Sequence, residues 1–151
     1  MALTETAIEH ANTGSTKGMK LLPGGPFLMG TDSSEAWAAD GEGPIREVTI
    51  KPFYIDETAV TNKQFAAFVK ATGFKTEAER FGWSFVFHNQ VPKAKKSKLV
   101  DQTVQGLNWW CKVNGASWAH PEGPGSDVRQ RQDHPAIHLT WNDAIAYCRW
   151  A

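Results

Sequence analysis

Thirteen glycines and eight prolines run through 151 residues that also carry seven tryptophans and eight phenylalanines. Backbone breakers at this density prevent long helices and wide sheets, because proline removes an amide donor and glycine costs entropy inside any regular element. Large rigid side chains must then hold the loops in place. The combination predicts a loop-rich α+β fold with low regular secondary structure, anchored by aromatic residues. A chain of this length suits one domain, which on folding would bury roughly 70% of its unfolded surface.

Sixteen basic residues balance sixteen acidic ones. Nucleic-acid binders gain affinity by displacing counterions with a basic excess, so that class is not expected. The cluster Lys93, Lys95, Lys96 and Lys98 has no interleaved aromatic residue and reads as a solvated loop. No stretch approaches the roughly 20 apolar residues of a membrane span, and Met1 to Gly18 lacks a signal-peptide core. With Cys111 and Cys148 too few for a disulfide scaffold, the expected compartment is the cytoplasm.

Residues 1–18 are small and polar and read as a disordered leader, with order beginning at Met19. Leu21-Leu22, the turn Pro23-Gly24-Gly25-Pro26 and Phe27-Leu28-Met29 give strand, turn, strand. Arg46 to Ile50 alternates as a half-buried strand, and Phe53-Tyr54-Ile55 extends that run past Pro52. Three sites carry a helix-opening box: Thr61 with Gln64, Thr76 with Glu79, and Thr140 with Asp143. After the first, Phe65, Phe68 and Val69 share a face, and Gly73 supplies the stop. Trp83 to Phe87 reads as a buried strand or packed loop, and Ala136 to Leu139 as a short strand. From Asn108 to Pro135 the chain is mostly turn residues, with Trp109, Trp110 and Trp118 as the expected pins. Along the last helix, Ala144, Tyr147, Cys148 and Ala151 form an apolar stripe with no stop signal after it. That pattern predicts a domain continuing past Ala151.

No residue cluster announces a reaction centre. His134 and His138 stand four apart, a metal-holding spacing on a helix, but Pro135 and the alternation of Ile137 and Leu139 predict extended chain. A turn histidine and a packed, hydrogen-bonded histidine are the simpler readings, and His120 before Pro121 reads as a loop hydrogen-bonder. Neither cysteine lies in a C-x-x-C or a basic setting that would activate it. Cys148, on the predicted apolar stripe, reads as a small buried hydrophobe.

In order along the chain, Met19 to Gly30, Phe53 to Asp56 and Val60-Thr61-Asn62 are followed by Thr72-Gly73-Phe74, Thr76 to Glu79 and Phe81 to Phe87. Then come Trp109-Trp110, Gly115 to Trp118, His120 to Pro124, Asp133-His134-Pro135, Trp141 to Ala144 and Ala146 to Cys148. Together these blocks resemble the formylglycine-generating enzyme family, the sulfatase-modifying factors, across residues 19–151. The resemblance implies a C-type-lectin-like variant of an α+β fold, with this chain as the N-terminal part of the domain. It implies oxidation, by molecular oxygen, of the cysteine in a C-x-P-x-R segment of an unfolded sulfatase to Cα-formylglycine. A cysteine pair holding copper performs that chemistry in the family, soft thiolates suiting a soft ion, and calcium stabilises the fold. Both sets of ligands belong to the family's C-terminal half, so no residue of this chain is expected to bind either metal.

What the resemblance assigns to this chain is part of the substrate groove. Trp109 matches a tryptophan that packs on the substrate proline, and Ala78 and Ser84 match groove-lining positions. Where animal members place acidic residues near the substrate arginine, this chain has Ala59 and Trp83, and a cation–π contact from Trp83 is one substitute for the acidic clamp. Cys148 matches a position that is disulfide-bonded in secreted members. For each groove residue the alternative is ordinary packing. Two rival functions stand beside the oxidase: a non-catalytic peptide- or protein-binding paralogue, and the related domain of iron-dependent sulfoxide synthases.

Overall fold

A computed structural model of the chain describes residues 14–151, so the predicted leader lies outside the described residues up to residue 13. The chain divides into two compact units, Met1–Thr58 and Ala59–Ala151. Small antiparallel sheets and short helices make it an α+β protein.

The first unit is built on one register. Strand β1 (Met19–Leu22) pairs antiparallel with β4 (Phe53–Asp56), and β2 (Gly25–Met29) with β3 (Arg46–Ile50). Met19 faces Asp56, Leu22 faces Phe53, and Gly25 faces Ile50, so the offset never slips between the two ladders. By the same register Pro23 falls opposite Pro52. Neither has an amide hydrogen to give, which breaks one long ribbon into two short pieces. Gly24 sits in this break at φ 73°, and a Cβ there would lie 2.5 Å from the Ile50 carbonyl oxygen. Only glycine fits both the left-handed backbone and that approach.

The second unit contains α1 (Asn62–Thr72), α2 (Glu77–Phe81), β5 (Trp83–Phe87), α3 (Lys96–Leu99), β6 (Val100–Val104), β7 (Leu107–Asn114) and α4 (Trp141–Trp150). All three predicted capping boxes form, at Thr61, Thr76 and Thr140, and Gly73 closes α1 in the left-handed conformation. The strands make a three-stranded antiparallel sheet in the order β5-β7-β6. Its inner face buries Val86, Cys111 and Val113 with Val91 and Ala116. A second core is aromatic. Phe65 and Phe68 of α1 meet Trp118, with ring centroids 5.3 Å apart for Phe65–Trp118, and Tyr147 of α4 closes on Phe68 at 5.6 Å. The first amides of α1 are satisfied from outside the helix, Asn62 N–H donating to the His134 carbonyl and Lys63 N–H to that of Gln132.

The structure corrects several sequence expectations. Trp109 and Trp110 lie on β7 rather than in a loop, and both are exposed; of the three proposed pins only Trp118 is buried. Strand β6, unassigned in the sequence reading, returns through the Gln105-Gly106 turn to pair with β7. The lysine cluster forms a 3-10 turn running into α3 instead of a plain loop. Ala136 to Leu139 is not a strand: Pro135 makes one isolated bridge to Thr61, and His138 bends the chain at φ 60°. Cys148 is exposed, not buried. With Asp143 fully buried at the third position of α4, the inward face is Asp143, Ala146, Tyr147 and Trp150. That turns Ala144, Cys148 and Ala151 outward.

Asp143 is the polar centre of this unit. Its Oδ2 accepts from the Thr140 amide at 2.9 Å and the Thr140 hydroxyl at 3.1 Å, and its Oδ1 accepts from the Glu77 amide at 3.1 Å. Replacing Asp143 by alanine leaves these buried donors unpaired. Asp143→Ala is expected to lower stability by about 3 kcal/mol, read as an earlier midpoint in urea unfolding followed by tryptophan fluorescence. An unchanged midpoint would show that these donors find other partners.

Candidate functional site

Ladder phase decides which side chains share a face. Gly82 accepts from the Gly115 amide at 2.7 Å, and the His88 amide donates to the Trp109 carbonyl at 2.8 Å. Together with the β5–β7 register, this puts Gly82, Ser84, Val86, Trp109, Cys111 and Val113 on the inner face, and Trp83, Phe85, Phe87, Trp110 and Lys112 on the outer face. The same phase leaves the backbone groups of Trp83 and Phe85 pointing away from β7, along the free edge of the sheet. Among the described residues no backbone hydrogen bond from outside the sheet reaches Phe85.

Two clefts adjoin β5. One, of about 320 Å³, is lined by Ala78, Glu79, Gly82, Gly115, Ser117 and His120. The other, of about 450 Å³, is lined by the Phe85–Phe87 edge with Gln90, Trp110, Pro121, Glu122, Arg131, Ile137 and His138, and neither cleft is lined by Ser84 or Trp109. Gly82 borders the first and Val86 the second, so β5 runs from one to the other with Ser84 between them. The 117–126 loop divides them and is tightly cross-braced. His120 Nδ1 lies 2.7 Å from the Ser126 carbonyl oxygen, and Arg131 donates to both oxygens of Glu122, at 2.6 and 2.9 Å. Those guanidinium bonds hold the Glu122 carboxyl below the usual carboxylate range, outweighing the opposing effect of burial.

Of the four groove residues that the resemblance names, the register puts two, Ser84 and Trp109, on one face of the sheet. Ala78 is buried on α2 at the wall of the first cleft. Ser84 stands half-buried on β5, its hydroxyl 2.9 Å from His138 Nδ1. Trp109 is on the same sheet face and 45% exposed. Trp83 is on the other face, where the Lys112 ammonium lies 5.0 Å from its ring centre and is itself 2.7 Å from Asp101. The cation on Trp83 is therefore the protein's own. Sequence reasoning did not find the Ser84–His138 pair: the residues stand 54 apart and no local pattern joins them. His138 is, as expected, a hydrogen-bonded histidine. Among the described residues no three His, Cys, Asp or Glu side chains converge to hold a metal, and no helix is long and apolar enough to cross a membrane.

Residues 4–151 match the model of the sulfatase-modifying factor enzyme 1-like domain. The chain is 54% identical over 135 residues to the formylglycine-generating enzyme of Thermomonospora curvata, covering 89% of this chain and 44% of that protein. It is 52% identical over 137 residues to inactive C-alpha-formylglycine-generating enzyme 2 of Bos taurus, covering 91% of the chain and 44% of the relative. It is 30% identical over 133 residues to a hercynine oxygenase of Mycolicibacterium smegmatis, covering 87% and 27%. The chain thus spans less than half the length of these relatives.

The Glu122–Arg131 pair gives a pH prediction. Its folded pKa lies below the unfolded value, so its stabilising contribution is present above the unfolded pKa and is lost as pH falls through the folded one. Acid titration of stability should therefore be shallower in Glu122→Gln than in the native chain below about pH 5, and indistinguishable between the two slopes near neutrality. Equal acid slopes would remove this pair from the acid response.

Proposed function

Because the chain belongs to the family of sulfatase-modifying factor enzyme 1-like domains, we propose that it supplies the substrate groove of a formylglycine-generating oxidase. Residues 19–151 then form the N-terminal part of one C-type-lectin-like domain, acting in the cytoplasm. The substrate is an unfolded sulfatase polypeptide whose C-x-P-x-R cysteine is oxidised by molecular oxygen to Cα-formylglycine.

The observation that supports this reading is the common sheet face of Ser84 and Trp109, next to a strand edge at which Phe85 takes no backbone hydrogen bond from outside the sheet among the described residues. An extended peptide can hydrogen-bond such an edge whatever its side chains, which suits capture of an unfolded segment. The flat Trp109 indole offers a surface for the proline ring. Ala78 keeps the first cleft open because it carries only a methyl group. Trp83, already covered by Lys112, contributes to the far face and not to this groove.

Copper and calcium enter as part of the proposal for the whole protein. Copper supplies the oxygen chemistry when bound. Cys111 is buried within the sheet core and Cys148 is exposed on α4, both as free thiols, so these two do not form a soft two-coordinate site. This chain's own residues bind and orient; no chemical step is assigned to them.

A second reading, a non-catalytic peptide-binding paralogue, draws support from the 52% identity to the inactive bovine relative. One experiment separates the two. The intact natural protein is incubated with a C-T-P-S-R peptide, copper(I) and air, and the peptide is weighed by mass spectrometry. Oxidase function is expected to remove about 18 mass units from the peptide cysteine; binding without that loss would favour the paralogue. Trp109→Ala is expected to weaken peptide capture by about 1–3 kcal/mol with the fold intact. Unchanged kinetics in a stable variant would mean that Trp109 is only a sheet residue. The 151-residue chain alone should leave the peptide unchanged.

A further inference from the structure

We propose that His138 is a positioning residue of this groove, fixing the Ser84 hydroxyl so that it meets the peptide as a hydrogen-bond acceptor. The inference rests on the groove reading above and adds a direction to one of its contacts.

One atom leaves no choice. His138 Nε2 lies 2.9 Å from the carbonyl oxygen of Pro121. A carbonyl only accepts, so Nε2 carries the hydrogen. In a neutral imidazole Nδ1 is then a bare acceptor, and Ser84 Oγ at 2.9 Å must donate to it. The hydroxyl has one hydrogen and has committed it. Its two lone pairs are what remain for a ligand, and the complementary group is an N–H, most simply a backbone amide of an extended peptide.

The imidazole is kept neutral by its surroundings. Burial lowers its pKa, opposed by the Pro121 hydrogen bond and by the nearby Glu122 charge. The Glu122 carboxylate is itself taken up by the two-pronged bond from Arg131, so the anion that would favour an imidazolium already has its cation. If His138 were protonated, Nδ1 would donate to Ser84 and free the hydroxyl hydrogen, reversing the polarity that the peptide meets.

The backbone gives a second, independent indication. His138 sits at φ 60°, a left-handed conformation in which non-glycine residues are uncommon. Such a conformation persists where surrounding contacts over-determine it. Here the ring is pinned at both nitrogens, to β5 and to the 117–126 loop. The strained turn aims the imidazole at Ser84, midway along β5 between the two clefts.

Two measurements on the intact natural protein test this. Long-range ¹H–¹⁵N correlation spectra of the histidines are expected to show His138 protonated at Nε2 and bare at Nδ1 near neutral pH. The opposite tautomer, or an imidazolium, would overturn the proposal. In peptide kinetics with the C-T-P-S-R substrate, Ser84→Ala is expected to raise KM about tenfold with kcat little changed, the loss of one accepted hydrogen bond. His138→Asn tolerates the left-handed backbone, which keeps the variant folded. It should raise KM by a similar factor, and the Ser84→Ala/His138→Asn double variant should be no worse than the more affected single one. Fully additive losses, or an unaffected Ser84→Ala, would refute the positioning role while leaving the groove in place. A native protein that neither binds nor oxidises the peptide would bring down the groove reading, and this proposal with it.

Discussion

Asp143 has no solvent exposure, and its two oxygens face different elements: one closes the first turn of α4, the other takes the first amide of α2. Both are helix N-termini, where free amides and the helix dipole favour an anion. A buried carboxylate would cost several kcal/mol alone, and here it is stabilised by three donors. On the surface beside it, Asn142 donates to Glu77 at 2.7 Å, a second tie between the same two helices. The consequences reach the proposed groove. Helix α2 ends at Gly82 and passes straight into β5, so fixing α2 fixes Ser84. The segment entering α4 carries His138 two residues before the Thr140 cap, so fixing α4 fixes His138. Two side chains far apart in sequence meet because one carboxylate clamps the element next to each.

The helix starts were legible in the sequence because a capping box is local. A hydroxyl and a carboxylate or amide three residues on complete each other whatever the rest of the chain does. The first four strands were legible for a similar reason, with alternation and Pro-Gly punctuation pointing the same way. Pairing was not legible. That β1 joins β4 and β2 joins β3, with Pro23 facing Pro52 at the break, depends on a partner some thirty residues off. Strand β7 was hidden by composition: Trp109 and Trp110 looked like loop anchors in a stretch rich in turn residues, yet the eight residues before Gly115 are continuous strand. Alternation also misled. Ile137, His138 and Leu139 fit a period of two, but a left-handed residue in the middle cannot belong to a strand. On α4, reading hydrophobicity alone selected Cys148, whereas the buried Asp143 sets the helix phase.

The proposed groove residues rest on family resemblance, because nothing in Ala78, Ser84 or Trp109 taken singly distinguishes a ligand contact from packing. Structure contributes what a motif lacks, namely the face. It puts Trp83 and Trp109 on opposite sides of one sheet, so they cannot act on the same peptide segment as a pair. It also assigns Trp83 a cation from inside the protein, with Lys112 itself anchored by Asp101. The sequence showed an aromatic residue where an acidic one was expected; the geometry shows that this residue's π face is already in use.

The similarity to the relatives carries a further argument. Over nearly the same span the chain is 54% identical to an enzyme and 52% identical to a protein described as inactive. Capping boxes, the Asp143 clamp and a free strand edge would serve a peptide-binding protein as well as an oxidase. Binding energy gathered along such an edge does not distinguish ground state from transition state. On the proposed reading it would set how readily a peptide is captured.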